Sequence, residues 1–115
     1  MDERILKWLF DVKMAIDEID SYFIDEEKDF FKYRSNLMLK RAVERDLEII
    51  GEAINRIITR DKYFEIKITN AKAIISLRNQ VIHAYDNISD ENIWSILTNH
   101  LPKLKKEIEY LIDEK

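Results

Sequence analysis

Cysteine is absent from this 115-residue chain, and glycine and proline occur once each. Without cysteine there is neither a disulfide framework nor a thiolate metal site. A β-sandwich or barrel of this length needs many more turn-forming residues, so the scarcity of glycine and proline favours an all-α protein. A basic excess is also missing. The net charge of -4 argues against a general nucleic-acid-binding surface but leaves room for a local basic site.

Long apolar runs are missing too, since none approaches the roughly 18 residues that would span a bilayer. Hydrophobic residues make up 46% of the chain and charged residues 37%, which is typical of a folded domain rather than a disordered chain or a membrane protein. The length fits a single domain, 1–115. The first residues include acidic side chains and lack the layout of a signal peptide. We therefore expect a cytoplasmic protein with no membrane association.

Apolar residues recur at helical spacing in most of the chain. We predict helices at about 3–22, 35–60 and 71–85, the last capped by Thr69 or Asn70, and a fourth helix that begins after Ser89. Pro102 should kink this fourth helix or begin a new segment. Gly51 lies inside the apolar stripe of the second helix and suggests close approach of another helix. The prediction is an up-and-down bundle of four to five helices.

Two segments fit this pattern less well. The acidic and aromatic stretch 23–34 reads as a solvated connector or the start of the next helix, and a metal site there is less favoured because no histidine is near its carboxylates. The stretch 61–69 has strand-like composition but no second strand to pair with, so we expect a loop or short turn.

The stretch "RNQVIHAYD" at 78–86 gathers chemically active residue types near the end of the third helix. On a regular helix Arg78, Asn79, His83 and Tyr85 project from one polar half, opposite the side that carries Leu77 and Val81. A neutral imidazole at His83 suits abstraction of a proton from a ribose 2′-hydroxyl. The guanidinium of Arg78 suits binding of a phosphate in the transition state, with Asn79 in support. These residues fit metal-independent attack on a phosphodiester.

Such a reaction also needs a general acid for the leaving 5′-oxygen, and one chain supplies only His83 nearby. A symmetric homodimer would bring a second His83 and Arg78 to the same cleft. The residues alone leave a structural interpretation open, in which His83 is a capping or surface residue and Arg78 pairs with an acidic side chain. His100 has no comparable neighbours and is interpreted as structural.

The stretch "LRNQVIHAYDNIS" resembles the R-x4-H-x-Y signature of HepT-like toxins in the HEPN superfamily, matching it at Arg78, His83 and Tyr85. The stretches "RAVERDLEIIGEAINRI" and "IWSILTNHLPKL" resemble other segments of the same family. The resemblance covers most of the chain apart from 23–34 and 60–69. It implies an all-α, HEPN-like ribonuclease that dimerises so that two R-x4-H motifs line one cleft.

The resemblance also implies products, partners and regulation. HEPN ribonucleases cleave RNA without a metal or other cofactor and leave a 2′,3′-cyclic phosphate. HepT-like members are toxins whose antitoxin is a minimal nucleotidyltransferase of MntA type, which transfers AMP to the motif tyrosine, here Tyr85. We therefore predict an endoribonuclease toxin with RNA, for example tRNA, as substrate.

Two alternatives to a catalytic site remain at this point. One is a non-catalytic helical dimer that binds a nucleotidyltransferase partner or a nucleotide. The other is a plain structural bundle in which the motif makes only internal hydrogen bonds. The acidic net charge offers RNA little long-range attraction, although Lys40, Arg41 and Arg45 are candidates for a local basic rim.

Overall fold

The computed structural model describes residues 2–23, 29–76 and 90–114. Within these ranges the regular elements are all helical and no strand occurs, which confirms the predicted all-α fold. In chain order they are α1 (Glu3–Ser21), α2 (Phe30–Ser35), α3 (Leu37–Arg60), α4 (Tyr63–Lys67), α5 (helical at 71–76, where the described range ends), α6 (Asp90–Ser95), a π-helical turn (Ile96–His100) and α7 (Leu101–Asp113).

The first helix, α1, is capped at its N-terminus by Asp2. The side chain of Asp2 accepts hydrogen bonds from the backbone amides of Arg4 at 2.7 Å and Ile5 at 3.4 Å. Trp8 is half-buried, so it marks the edge of the apolar face. The buried face then follows the predicted spacing, with Ile5, Leu9, Val12, Ala15, Ile16 and Ile19 in the core.

The short helix α2 occupies most of the described part of the segment interpreted as a solvated connector. Asp29 caps it by accepting from the amides of Phe31 at 2.8 Å and Lys32 at 3.3 Å. Tyr33 is fully buried, and its ring packs against Trp94 with centroids 5.5 Å apart. A solvated connector is therefore wrong for 30–34, and the alternative of a helical start is the better description, because burial of Tyr33 and the contact of Phe30 with Trp94 hold the segment against the core.

The long helix α3 begins at Leu37 rather than near Ser35. Asn36 has an extended backbone, with φ -108° and ψ 99°, and its side chain accepts from the amide of Leu39 at 3.0 Å. This cap separates α3 from α2. Gly51 lies on the buried face, and α3 packs along α1 more extensively than any other pair of described elements.

The predicted loop at 61–69 contains the short helix α4. The side chain of Asp61 accepts from the amide of Tyr63 at 3.0 Å, which replaces a missing intrahelical partner at this end. Phe64 and Ile68, four residues apart, are both buried. Helical spacing places both side chains in the core, so tertiary packing overrides the strand-like composition.

Pro102 begins a new segment, as predicted, and the preceding turn is unusual. The amide of Leu101 donates to the carbonyl of Ile96, five residues earlier, which is the spacing of a π-helix. The hydroxyl of Thr98 donates to the carbonyl of Trp94 at 3.0 Å. α7 follows with Pro102 at its second residue, where a missing amide donor costs little.

Contacts between distant residues set the directions of the helices. Arg60, at the end of α3, bonds Asp2 at the start of α1 through a 2.7 Å contact, while Tyr22 after α1 donates to Asp46 within α3. These contacts make α1 and α3 antiparallel. On the α7 side, Lys105 lies 3.2 Å from Asp20. Across the described ranges, none of the helices combines the length and apolar character needed to cross a bilayer.

Candidate functional site

The four residues predicted to form the site, Arg78, Asn79, His83 and Tyr85, lie at 77–89, outside the described residues. The same holds for the predicted cap at Ser89 and for the rest of the third helix beyond residue 76. The structure does describe the helix that precedes this stretch and the helix that follows it, and we call these two helices the frames of the site. One frame ends at Ser76 and the other begins at Asp90.

The frame before the motif is α5, which is helical from residue 71 as predicted. Asn70 precedes it with a φ of 64°, a left-handed conformation that asparagine tolerates, and its carbonyl accepts from the amide of Ile74 at 3.0 Å. Ala71 and Ile74 are buried. The start of the helix that leads into the motif is thus fixed by both its backbone and its core contacts.

The start of α5 is also bonded to α7. The hydroxyl of Thr69 donates to the carboxylate of Glu107 at 2.6 Å, and its backbone amide approaches the same carboxylate at 3.1 Å. The side-chain amide nitrogen of Asn70 lies 3.5 Å from Nδ1 of His100. His100 therefore lies beside the start of α5, which agrees with its interpretation as a structural residue.

The frame after the motif is α6, which is fixed to α3 at its first residue. Nζ of Lys40 lies 3.1 Å from a carboxylate oxygen of Asp90, and both side chains are only about a quarter exposed. Ile93 is buried in the core. This ion pair joins two elements fifty residues apart and fixes the chain five residues after Tyr85.

An aromatic cluster around Trp94 fixes the next turn of α6. The ring of Trp94 lies 5.5 Å from Tyr33, 5.9 Å from Phe30 and 6.0 Å from Phe23, measured between centroids. Tilted and edge-to-face pairs of this kind stabilise by roughly 0.5–1.5 kcal/mol each beyond the area they bury. The cluster thus holds α6 against α2 and the end of α1.

The phenol of Tyr33 ends in a charged environment close to Asp90. Burial raises the pKa of this phenol, the negative charges of Glu44 and Asp90 raise it further, and the nearby Arg41 guanidinium partly opposes them. Within the described ranges, its buried hydroxyl oxygen has no hydrogen-bond partner. The hydroxyl of Tyr33 therefore stays protonated at neutral pH and remains a hydrogen-bond donor close to Asp90.

The predicted basic rim on α3 is divided between two roles. Lys40 is engaged by Asp90, whereas Arg41 and Arg45 are each about two-thirds exposed. One terminal guanidinium nitrogen of Arg41 donates to both carboxylate oxygens of Glu44, at 2.7 and 2.8 Å. That Arg41 and Arg45 face the predicted RNA site stays a prediction, but Lys40 contacts Asp90, the first described residue after the motif segment. The described residues contain no cluster of histidine and carboxylate side chains that could hold a metal ion.

One buried polar contact was not predicted from the sequence. Asp46 is 2% exposed, and Tyr22 donates to its carboxylate at 2.8 Å. Burial raises the pKa of Asp46, and the hydrogen bond from Tyr22 opposes part of that rise. The sequence did indicate that Asp46 is buried, because it stands three residues after Val43 and four before Ile50, in line with the apolar stripe of α3.

A comparison with protein families decides the assignment of the chain. The model of the family described as "Ribonuclease HepT-like" matches residues 12–111, which include the whole motif segment. The chain belongs to the HepT-like ribonuclease family. This confirms the resemblance read from the R-x4-H-x-Y motif. It also places α3, both frames and most of α7 within the matched region.

Individual relatives agree with the assignment to the HepT-like family. "Putative RNase MJ1380" from Methanocaldococcus jannaschii is 36% identical over 112 residues, covering 95% of this chain and 98% of the relative. "Putative RNase MJ0125" from the same organism is 31% identical, covering 99% of this chain and 97% of its own. "Putative RNase MJ1216", also from that archaeon, is 30% identical with 99% and 93% coverage. No solved structure matches the chain.

Proposed function

We propose that this HepT-like protein is a metal-independent endoribonuclease and the toxin of a toxin–antitoxin module with an MntA-type nucleotidyltransferase. The observation that carries the proposal is the family match over 12–111, which spans Arg78, His83 and Tyr85 in their motif order. Relatives that cover nearly the whole chain carry RNase in their names. The two fixed frames at Ser76 and Asp90 support it, since catalytic groups need a rigid scaffold.

The proposed reaction is an in-line transesterification. His83 removes the proton from a ribose 2′-hydroxyl, the oxygen forms a bond to the adjacent phosphorus, and the bond from phosphorus to the 5′-oxygen breaks. A second acid protonates the departing 5′-oxygen. The products are a 2′,3′-cyclic phosphate and a 5′-hydroxyl end. Arg78 stabilises the negative charge that builds on the phosphate oxygens, and Asn79 orients either the imidazole or the phosphate.

The second acid is assigned to His83 of another copy of the chain in a homodimer. Two copies related by a two-fold axis present the same surface to each other, so a cleft on the axis contains each motif twice. Dilution below the dimer dissociation constant should then abolish cleavage. Sedimentation and initial rates measured over the same concentration range would show whether the two transitions coincide.

The test of the catalytic assignment uses the chain's two histidines as a matched pair. We expect His83→Ala to lower RNA cleavage by roughly 10²–10⁴-fold, the usual contribution of a general acid–base group. Arg78→Ala should lower it by about 10²–10³-fold. His100→Ala is the control and should keep its activity. Urea denaturation verifies that each variant folds, and excess EDTA should leave the wild-type rate unchanged.

Several results would contradict the proposed ribonuclease. Normal cleavage by both the Arg78 and the His83 variants would remove the proposed site. Products ending in a 3′-monophosphate from the first turnover, without a cyclic intermediate, would exclude attack by the 2′-hydroxyl. Tight binding of a nucleotidyltransferase without any cleavage would support the non-catalytic alternative.

The proposed regulation acts at Tyr85. Its phenolic oxygen attacks the α-phosphorus of ATP, pyrophosphate leaves, and AMP remains bound to the tyrosine. The added bulk and negative charge then lie two residues from His83, where they block and repel the RNA phosphate. Incubation with ATP and the cognate nucleotidyltransferase should add AMP to the intact mass and stop cleavage. Tyr85→Phe should abolish this mass gain, and Tyr110→Phe, on an exposed tyrosine, should retain it.

A further inference from the structure

Positive charge is concentrated in one short part of this acidic protein. Residues 29–45 contain five basic and two acidic side chains, a net charge of +3, so the rest of the chain carries -7. The five basic residues lie on α2 and the first half of α3, and we call them the basic pole: Lys32, Arg34, Lys40, Arg41 and Arg45.

The basic pole is interleaved with large apolar side chains that are exposed to solvent. Phe31 is 73% exposed, Leu37 60% and Met38 84%. The neighbouring Phe30 instead packs on Trp94 and holds α2 in place. The exposed phenyl ring of Phe31 leaves apolar area in water that burial against a ligand would remove.

The basic pole is connected to the motif segment through a described contact. Lys40 bonds Asp90, the first described residue after that segment. Arg34 and Arg41 are exposed on either side of the cap at Asn36 that divides α2 from α3. The pole therefore adjoins the frame that positions the motif.

We propose that the basic pole and Phe31 together bind a single-stranded segment of the RNA substrate. The identification of RNA rests on the proposed function. Arginines bind phosphate oxygens through paired donors, and an exposed ring offers a base a stacking surface. Stacking requires an unpaired base, which assigns the segment to single-stranded rather than duplex RNA. The pole also supplies the attraction for a polyanion that the net charge of -4 lacks.

A polyanion fits the pole better than a protein partner does. The pole has five cations against two acidic residues over two helices, whereas charged residues are depleted at the centre of a protein interface. Arg41 holds Glu44 through one guanidinium nitrogen and is about two-thirds exposed, so solvent screens this pair and a phosphate can compete for the guanidinium.

The test measures binding without cleavage. The probe is a fluorescein-labelled 2′-O-methyl oligoribonucleotide of about 16 nucleotides, the upper range for one small single-strand-binding fold. It lacks the attacking hydroxyl, so its affinity is independent of catalysis. Anisotropy titrations compare the single strand with the same strand annealed to its complement, over a series of salt concentrations.

Two matched pairs of variants separate charge from stacking. Arg34→Gln with Arg41→Gln should make the slope of log affinity against log salt shallower by about 1.4, since each lost phosphate contact accounts for about 0.7. Lys103→Gln with Lys106→Gln removes the same charge from exposed positions on α7 and should leave the slope unchanged. Phe31→Ala should weaken single-strand binding by roughly fivefold or more, with little effect on the duplex, whereas Tyr110→Ala should change neither.

Some outcomes would overturn the proposed RNA-binding surface while the ribonuclease assignment stands. In the first, the wild type, Phe31→Ala and the double variant Arg34→Gln with Arg41→Gln bind the single strand with equal affinity, while His83→Ala loses cleavage. A second is a pole variant that binds RNA normally but dissociates into monomers in sedimentation equilibrium, which would make the pole a contact between two copies. Failure of His83→Ala to reduce cleavage would instead refute the catalytic assignment, whatever the binding data show.

Discussion

Removal of the Tyr22 hydroxyl isolates a buried charge in the packing between α1 and α3. In Tyr22→Phe the carboxylate of Asp46, 2% exposed, loses a donor at 2.8 Å. A hydrogen bond to a charged group stabilises by about 1.5–3 kcal/mol. We expect the free energy of unfolding at pH 7 to fall by about 2 kcal/mol, measured from urea denaturation curves.

The cost of Tyr22→Phe should depend on pH. Burial raises the folded pKa of Asp46 above its unfolded value, so the carboxyl stabilises the fold most when protonated, and this stabilisation is lost as pH rises through the folded pKa. Without the Tyr22 donor the folded pKa rises further, and the penalty at neutral pH grows. Near pH 4 the carboxyl is protonated in a larger fraction of folded molecules, and the cost should shrink toward the roughly 1 kcal/mol of a neutral hydrogen bond.

Two controls make this test specific. The Tyr22 hydroxyl also contacts Oε1 of Glu18 at 3.1 Å, so the control background carries both Asp46→Asn and Glu18→Gln. In that background Tyr22→Phe should have the same cost at both pH values, because neither amide titrates. Tyr110→Phe, on an exposed residue, should leave the urea midpoint unchanged. A cost that is equal at both pH values in the wild-type background, or that increases as pH falls, would refute the argument for a buried, charged Asp46.

Two further substitutions test the frames of the site. Asn36→Ala removes the cap between α2 and α3 and should lower stability by about 1 kcal/mol in urea denaturation, with Asn55→Ala, at an exposed position within α3, as a control that should not lower it. Asp90→Asn breaks the ion pair with Lys40 and should reduce RNA cleavage severalfold, with a loss of stability of at most about 1 kcal/mol. Because this change also removes a negative charge and so favours RNA binding, cleavage at or above the wild-type rate would show that the pair does not position the motif.

The parts of the fold that follow one periodic pattern were predicted closely from the sequence. The stripe of α1, the end of α3 at Arg60 and the new segment at Pro102 depend on local spacing and on proline chemistry. The start of α3 was less accurate because Asn36 ends one helix and caps the next within a single residue. The helix at Phe30–Ser35 was only the alternative to a solvated connector, and the helix at Tyr63–Lys67 was missed, because burial of Tyr33 and Phe64 decides them.

The candidate site likewise has one part that could be predicted from the sequence and one part that could not. Its residue types and motif are local in the sequence, so they could be recognised without a structure. Its supports are not local: Lys40 reaches Asp90 across fifty residues, and Tyr33 reaches Trp94 across about sixty. Side-chain patterns within one helix carry no information about which other helix they meet. The same reason hid the partner of Asp46, although its place in the apolar stripe was visible.

The π-helical turn at Ile96–His100 acts as a phase adjustment between α6 and α7. Ile93, Leu97 and Leu101 are spaced by four residues each, so on a regular helix their direction would drift by about 40° per step, and the wider turn offsets that drift. If the same residues wound as a regular α-helix, α6 would be rotated relative to α7 about their common axis. Trp94 would then turn away from Tyr33, so the wider turn sets the direction in which α6 presents Trp94 to α2.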